Sequence, residues 1–426
     1  MSVGLVIAFI FISLAGLLIL SCPIAVAIGV SLVIGMVAGD IHPNILLTKM
    51  LGALDSFPIM AAPLFILAGE VMQRGTLAKQ LVELAKKIVG HITGGMAHVS
   101  VLTSMFYGAL SGSSPATVAA VGAIMIPEME KQGYAKPFAT SVNTVSGCLG
   151  VMIPPSVPLI IYGTATGVSV GSLFIAGIIP GIVVGLFLMT TSYLLCLKSN
   201  VQVADKRSPL VEIFRALNNA KWAMLVPIIV LGGIYGGIAT PTEAAAVAVI
   251  YAFIVEGFVI KSLNRQTVYA IFKNAGIINS GVLFVVVMAT ALGQILVLLG
   301  LPEMMVQLLL GISDNPYILL PIIILFLLVM GTFMDALANI LIFAPLLLPV
   351  VTAIGIDPIH FGIIMIINIS MGFCTPPVGV NLFIGCGLSG VPIERLSKAV
   401  MPYLLTMIVA LLVVAFIPGL SLWLLK

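Results

Sequence analysis

A register of helix breakers constrains this chain more than any other feature. Laid on the second half with an offset of 222 positions and no gap, the first half brings Pro127 onto Pro349, Gly133 onto Gly355 and Gly150 onto Gly372. Pro154 and Pro155 fall on Pro376 and Pro377, Gly163 on Gly385, and Pro180 on Pro402. These residues interrupt long apolar runs. In hydrocarbon a helix must satisfy its own backbone, so a broken helix is tolerated only against protein or a watery cavity. Four prolines and three glycines in one ungapped register form an internal repeat of broken helices. Many secondary transporters are built this way.

Composition agrees. Of 426 residues, 61% are hydrophobic and only 8% charged, against roughly 25% charged in soluble domains. The chain is a polytopic membrane protein, with about ten crossings at ~20 residues each and two paired half-length segments. The net charge of +3 sits in loops and not on one face, so no nucleic-acid partner is expected. Met1–Leu20 lacks a basic n-region and reads as a first span, not a signal peptide. The five cysteines contain no CxxC and lie almost all in apolar runs, as buried free thiols do. The histidines lack HExxH spacing, and without a Gly-Lys dipeptide there is no Walker A loop and no ATP site.

In chain order, residues 1–93 read as scaffold spans (3–20, 23–39, 58–72) with an interfacial helix over 41–57 and an amphipathic surface helix over 76–89. Glu70 and Arg74, four apart, read as an ion pair at a span end. Residues 94–197 form a first transport repeat: a re-entrant hairpin (94–128), a helix broken at Pro154-Pro155 (134–165) and a span (172–197). The hairpin tip is Ser111-Gly112-Ser113-Ser114, with Ser114 as N-cap and Pro115 as first helical residue. A polar linker (198–221) leads to second-half scaffold spans and a surface helix (222–312), where Thr240-Pro241-Thr242-Glu243 reads as a capping box. Residues 313–426 repeat the plan: hairpin 316–351 with its tip near 331–336, broken helix 359–388, span 396–425. The fold class is an all-α polytopic membrane protein with two re-entrant hairpins and two broken transmembrane helices.

Charge gives the relation between the halves. Arg74, Lys79, Lys86, Lys87, Lys131 and Lys136 flank the first hairpin, whereas 302–316 and 352–358 contain no Lys or Arg. Cytoplasmic loops are the basic ones, so equivalent loops lie on opposite sides and the repeat is inverted. Counting spans puts both termini in the periplasm. Only Lys49 and Lys426 then fall outside the cytoplasmic side.

Where a hairpin tip faces a helix break, free carbonyls and hydroxyls suit Na⁺, while N–H groups at half-helix N-termini suit a carboxylate. The candidate Na⁺ residues are Ser111, Gly112, Ser113, Gly147 and Pro154 in the first half, and Gly331, Asp335, Gly372 and Thr375 in the second. Ser113, Ser156, Asp335 and Thr375 are the candidate substrate contacts. Asp335 stands out as a mid-membrane carboxylate with no Lys or Arg nearby in sequence, a functional position by default. It also reads as an N-cap of the second hairpin arm, which is compatible with ion binding.

These residues resemble the large membrane subunit of tripartite ATP-independent periplasmic (TRAP) transporters, the DctM-like family. The motifs are Gly108-Ala-Leu-Ser-Gly-Ser-Ser-Pro-Ala-Thr-Val118, Gly150-Val-Met-Ile-Pro-Pro-Ser156, Leu173-Phe-Ile-Ala-Gly-Ile-Ile-Pro-Gly181, Pro241-Thr-Glu-Ala-Ala-Ala246 and Cys374-Thr-Pro-Pro-Val-Gly379. The resemblance implies an elevator-type transporter, similar to the ion transporter superfamily, in a bacterial inner membrane. A mobile domain in the lipid would carry an organic-acid anion and at least two Na⁺. It also implies two partners: a small four-helix membrane subunit, here a separate polypeptide, and a soluble periplasmic solute-binding protein. Within the family the chain looks most like the sialic-acid branch, with C4-dicarboxylate carriers next. The rival readings are a stand-alone Na⁺-coupled carboxylate transporter, a channel, and an intramembrane serine hydrolase using Ser113. The hydrolase has only His98 as a nearby base in sequence and leaves the repeat unexplained.

Overall fold

The computed structural model describes residues 2–20, 22–74, 77–198 and 207–425, the side chain of Arg74 excepted. The expected Glu70–Arg74 pair, linker residues 199–206 and Lys426 lie outside the described residues. Among those described, every regular element is a helix. The first scaffold group is α1 (Val3–Ile19), α2 (Ile24–Ala38), α3 (Pro43–Leu54), α4 (Ala61–Arg74) and the arm α5 (Leu77–Val89). The first hairpin is α6 (Gly95–Ser111) and α7 (Ser114–Lys131). The broken helix is α8 (Lys136–Ser146), α9 (Leu149–Met152) and α10 (Val157–Thr166), followed by α11 (Val170–Lys198). The second half runs α12 (Leu210–Tyr235), α13 (Pro241–Ile254), α14 (Arg265–Leu298) and α15 (Leu301–Leu310). Hairpin α16 (Pro316–Phe333) and α17 (Ala336–Ala353) precedes broken helix α18 (Pro358–Gly372) and α19 (Val380–Ser389), then α20 (Ile393–Phe416) and α21 (Gly419–Leu422).

The 222-residue register holds in three dimensions: α7 and α17 match at both ends, and α6, α10 and α11 pair with α16, α19 and α20 within a few residues. The two halves interlock, since α8 packs on α20, α7 on α19 and α10 on α17. Tyr162 ties them further, donating to the Pro358 carbonyl at 2.7 Å. Close backbone approach is what the glycines at the breaks supply. A Cβ on Gly372 would stand 3.1 Å from Gly331 Cα, and one on Gly108 would stand 2.9 Å from Gly150 Cα.

Several boundaries differ from the sequence expectation. Seven described helices are long and apolar enough to span a membrane, or nine if each bent pair is one span. That count includes the arms α16 and α17 of the second hairpin and leaves out α1 and α2, apolar helices of only 17 and 15 residues. The polar stretch 198–221 is not all linker: α12 starts at Leu210 and carries its first three turns through it. The hairpin arms have 17 or 18 residues, about 27 Å at full length. A tip in mid-membrane therefore needs arms whose outer turns leave the hydrocarbon, and α7 carries Glu128, Glu130 and Lys131 in its last turn. The final span stops at Phe416, just before Pro418, which cannot continue a helix.

The repeat also shows where sequence breaks its own symmetry. Helix α14 is unbroken over 34 residues, whereas its first-half counterpart is α3 and α4 bent by 51°. Pro58 lies at the bend; its equivalent, Ser280, keeps the N–H that a continuous helix requires. Arm α5 lays Leu77, Leu81 and Leu84 into the core and keeps Lys86 and Lys87 in its last turn. Lys87 pairs with Glu212 of α12 at 2.7 Å. The capping box forms as read: Glu243 accepts from Thr240 N at 2.7 Å, and Thr240 Oγ1 from Glu243 N at 3.3 Å.

The glycine packing makes a direct expectation. Gly372→Ala should destabilise the protein by roughly 1–3 kcal/mol, the usual cost of overpacking. Gly387→Ala, where nothing lies within 4 Å, should be neutral or slightly stabilising because alanine suits a helix interior better. Thermal unfolding of the purified variants compares the two.

Candidate functional site

The first hairpin tip is a tight, glycine-dependent turn. Helix α6 ends at Ser111, and Gly112 adopts φ +59°, the left-handed conformation glycine reaches without a Cβ penalty. Ser113, not Ser114, is the N-cap of α7: its backbone is extended and its hydroxyl accepts from Ala116 N at 3.5 Å. Ser114 is already helical, and its hydroxyl accepts from Asn381 Nδ2 at 2.7 Å, which is why it does not cap. Thr117 Oγ1 donates to the Ser113 carbonyl at 2.8 Å and lies 3.0 Å from Ser111 Oγ. The turn meets the first helix break directly, because Val157 N donates to the Gly112 carbonyl at 3.3 Å.

In the second half, Asp335 takes the repeat position of Ser113 and the same role. Its carboxylate accepts from Leu337 N at 3.1 Å and caps α17. Ser113 and Asp335 both line one cavity of about 390 Å³. Ser111, Gly112, Pro115 and Ala116 line it from the first hairpin, Ala336 and Leu337 from the second, and Val151, Val157, Pro158 and Phe373 from the two breaks. The scaffold closes it with Ile66, Gly69, Glu70 and Gln73 of α4 and Ile278 and Val282 of α14. No Lys or Arg lines it among the described residues. Its polar surface is hydroxyls, backbone, one amide and two carboxylates.

The other expected residues surround this cavity without lining it. Ser156 caps α10, accepting from Leu159 N at 3.4 Å, and turns its hydroxyl to the Val151 carbonyl at 2.6 Å. Pro154 packs toward Gly177, and Gly147 against Val118 and the Ser114 carbonyl. Gly331 and Gly372 pack on each other, and Thr375 donates to the Met371 carbonyl at 2.8 Å.

Two features were not anticipated from sequence. Glu70 and Gln73 face the cavity from the scaffold, with Glu70 only 9% exposed. The two breaks are also joined at the centre by Asn381, whose amide donates to Ser114 Oγ and to the Thr144 carbonyl at 3.2 Å. Beside it Cys148 and Cys374 bring their sulfurs to 3.3 Å as free thiols. Asn381 replaces Leu159 of the first half, so no repeat signal marks it.

Residues 11–420 match the family described as "Tripartite ATP-independent periplasmic transporter, DctM component". The chain is 42% identical over 407 residues to an isethionate TRAP transporter permease protein of Oleidesulfovibrio alaskensis, covering 95% of this chain and 64% of that protein's length. It is 38% identical to the C4-dicarboxylate TRAP transporter large permease protein of Pseudomonas aeruginosa, covering 88% of this chain and 87% of the relative. It is also 38% identical to the sialic acid TRAP transporter large permease protein of Vibrio cholerae, over 89% and 88% of the two chains. In three dimensions it resembles the YdaH transporter of Alcanivorax borkumensis, with a TM-score of 0.62, 16% identity and 88% of both chains covered. That likeness supports the fold alone. Together with helices long and apolar enough to span a membrane, these matches make the protein a transport component and not an enzyme: the chain belongs to the DctM family of large membrane subunits of TRAP transporters.

Proposed function

We propose that this subunit imports an organic-acid anion coupled to at least two Na⁺, receiving the solute from a periplasmic binding protein and working with a small four-helix membrane subunit. The observation that carries this reading is one cavity where both hairpin tips and both helix breaks converge, with no Lys or Arg in its described lining. An anion held there must be met by N–H groups, hydroxyls and bound cations. Na⁺ would be held by the oxygen-rich turns at Ser111, Gly112, Ser113, Gly147 and Pro154 and at Gly331, Asp335, Gly372 and Thr375. A bound cation also keeps Asp335 charged beside an anionic solute.

The basic flanks of the first hairpin orient it toward the cytoplasm, so the second opens from the periplasm and both termini lie outside. With hairpins inverted about the site, alternating exposure follows from moving the α6–α11 and α16–α20 body against the α1–α4 and α12–α14 scaffold, an elevator motion. The relatives' names span isethionate, C4-dicarboxylates and sialic acid. Identity to the C4-dicarboxylate and sialic-acid proteins is equal, so the chain is assigned to the class of small organic-acid anions.

Uptake into proteoliposomes under an inward Na⁺ gradient tests this, with this chain alone, with its small subunit, and with the binding protein added outside. Uptake should require all three and Na⁺. Uptake by the chain alone would instead support a stand-alone Na⁺-coupled carboxylate transporter. In the complete system Asp335→Ala should lower Na⁺-driven uptake at least about tenfold, a change of ~1.4 kcal/mol; full activity in that variant would remove Asp335 from the coupling site.

A further inference from the structure

We propose that a second cavity, bounded by Lys49, Ser56, Thr290 and Gln294, is a separate anion-binding station on the periplasmic side, where Lys49 holds the acid group of the organic-acid solute without a cation. The inference deepens the transport reading above and takes from it the class of anion and the orientation. The cavity measures about 440 Å³, similar to the 390 Å³ between the hairpin tips. It lies where scaffold meets the moving body. Helix α3, the turn after it and α14 supply the four polar residues, and Thr164 of α10 with Leu341 and Pro345 of α17 close it.

Its polarity is the reverse of the central one. The cavity at the tips is lined by the carboxylates of Glu70 and Asp335, with no Lys or Arg among the described residues. Here the described lining has one ammonium group and no Asp or Glu. Lys49 Nζ, the Gln294 amide and the Ser56 and Thr290 hydroxyls make no hydrogen bond or ion pair within the protein among the described residues. Thr164, by contrast, is committed to its own helix, donating to the Ile160 carbonyl at 2.8 Å. An ammonium, an amide and two hydroxyls with donors to spare are the groups a carboxylate or sulfonate takes.

The repeat relates the two cavities. From α4 the central cavity takes Ile66, Gly69, Glu70 and Gln73; from α14 the second takes Thr290, Gly293, Gln294 and Val297. These are the same i, i+3, i+4, i+7 face, in which glycine stays glycine and Glu70 becomes Gln294. Ser56 is likewise the counterpart of Ile278, which lines the central cavity. The scaffold thus presents the body with two equivalent walls, separated along α14 by about 13 residues or roughly 20 Å. The tips stand at one wall, and the flank of α17 beyond Asp335 covers the other. Arg265 and Lys273 in the first turns of α14 put that end at the cytoplasm, so the Lys49 wall is the periplasmic one.

The test is protection of a reporter cysteine. Ala165→Cys puts a thiol in the lining without removing any of the four donors, and its modification by a maleimide is read above that of the five native cysteines. The two membrane subunits are held in vesicles of phosphatidylcholine alone, which offer no anionic headgroup. Isethionate, succinate and sialic acid are the probes, with inorganic phosphate as the comparison. At least one of the three should slow modification saturably, and equally in NaCl and KCl. Lys49→Gln should raise the concentration giving half-protection about tenfold or more, the order of one hydrogen bond to a charged group. Lys49→Arg keeps the charge and should stay close to the parent, which separates anion contact from misfolding. Protection unchanged in Lys49→Gln, or absent with all three probes, would overturn the assignment. Equal protection by phosphate would mean an adventitious ion only, and protection that requires Na⁺ would place the anion at the tips; either result also overturns it. Loss of Na⁺-driven uptake in the complete system, with Lys49-dependent protection intact, would count against the transport reading and leave the anion station standing.

Discussion

Everything in this structure depends on where interrupted backbone finds its hydrogen bonds. A helix broken inside a membrane leaves N–H and C=O groups that lipid cannot satisfy. Here the breaks satisfy one another: the Val157 amide bonds to the Gly112 carbonyl, and Asn381 stitches the second break to Ser114 and Thr144 of the first half. Glycines at 108, 150, 331 and 372 let the backbones come close enough. The two hairpin tips that these contacts position line one cavity with Ser113 and Asp335.

The repeat supplies two copies of one scaffold and then differentiates them. Ser113 and Asp335 occupy equivalent N-cap positions and face one cavity, but one brings a neutral hydroxyl and the other a carboxylate. Thr117 closes on its own turn through Ser111 and Ser113, while the buried amide of its repeat equivalent, Asn339, has no hydrogen-bond partner among the described residues. Pro58 bends the first scaffold helix and Ser280 leaves the second straight.

Much of this was legible in the sequence because prolines and glycines report backbone geometry locally. Their register located both hairpins, both breaks and the Asp335 tip, and Thr240-Pro241-Thr242-Glu243 announced its own capping box. Cap identity was off by one at Ser113, because whether Ser114 caps depends on a partner 267 residues away. Glu70 and Gln73 were hidden for a similar reason: four-residue spacing suggests a neighbour on the same helix, while the face they present to the cavity is set by how α4 packs against the hairpins. Asn381 and Asn339 have no motif at all. Their significance lies in which buried partners they have or lack, and only tertiary structure contains that information.

The most direct measurement of the central claim is simultaneous flux of radiolabelled Na⁺ and solute into proteoliposomes containing the two membrane subunits, with loaded binding protein outside. The account predicts that solute enters only with Na⁺, at a fixed ratio of at least two ions per solute. Solute accumulation at the same rate with K⁺ replacing Na⁺, or Na⁺ entry that does not vary with solute, would contradict it.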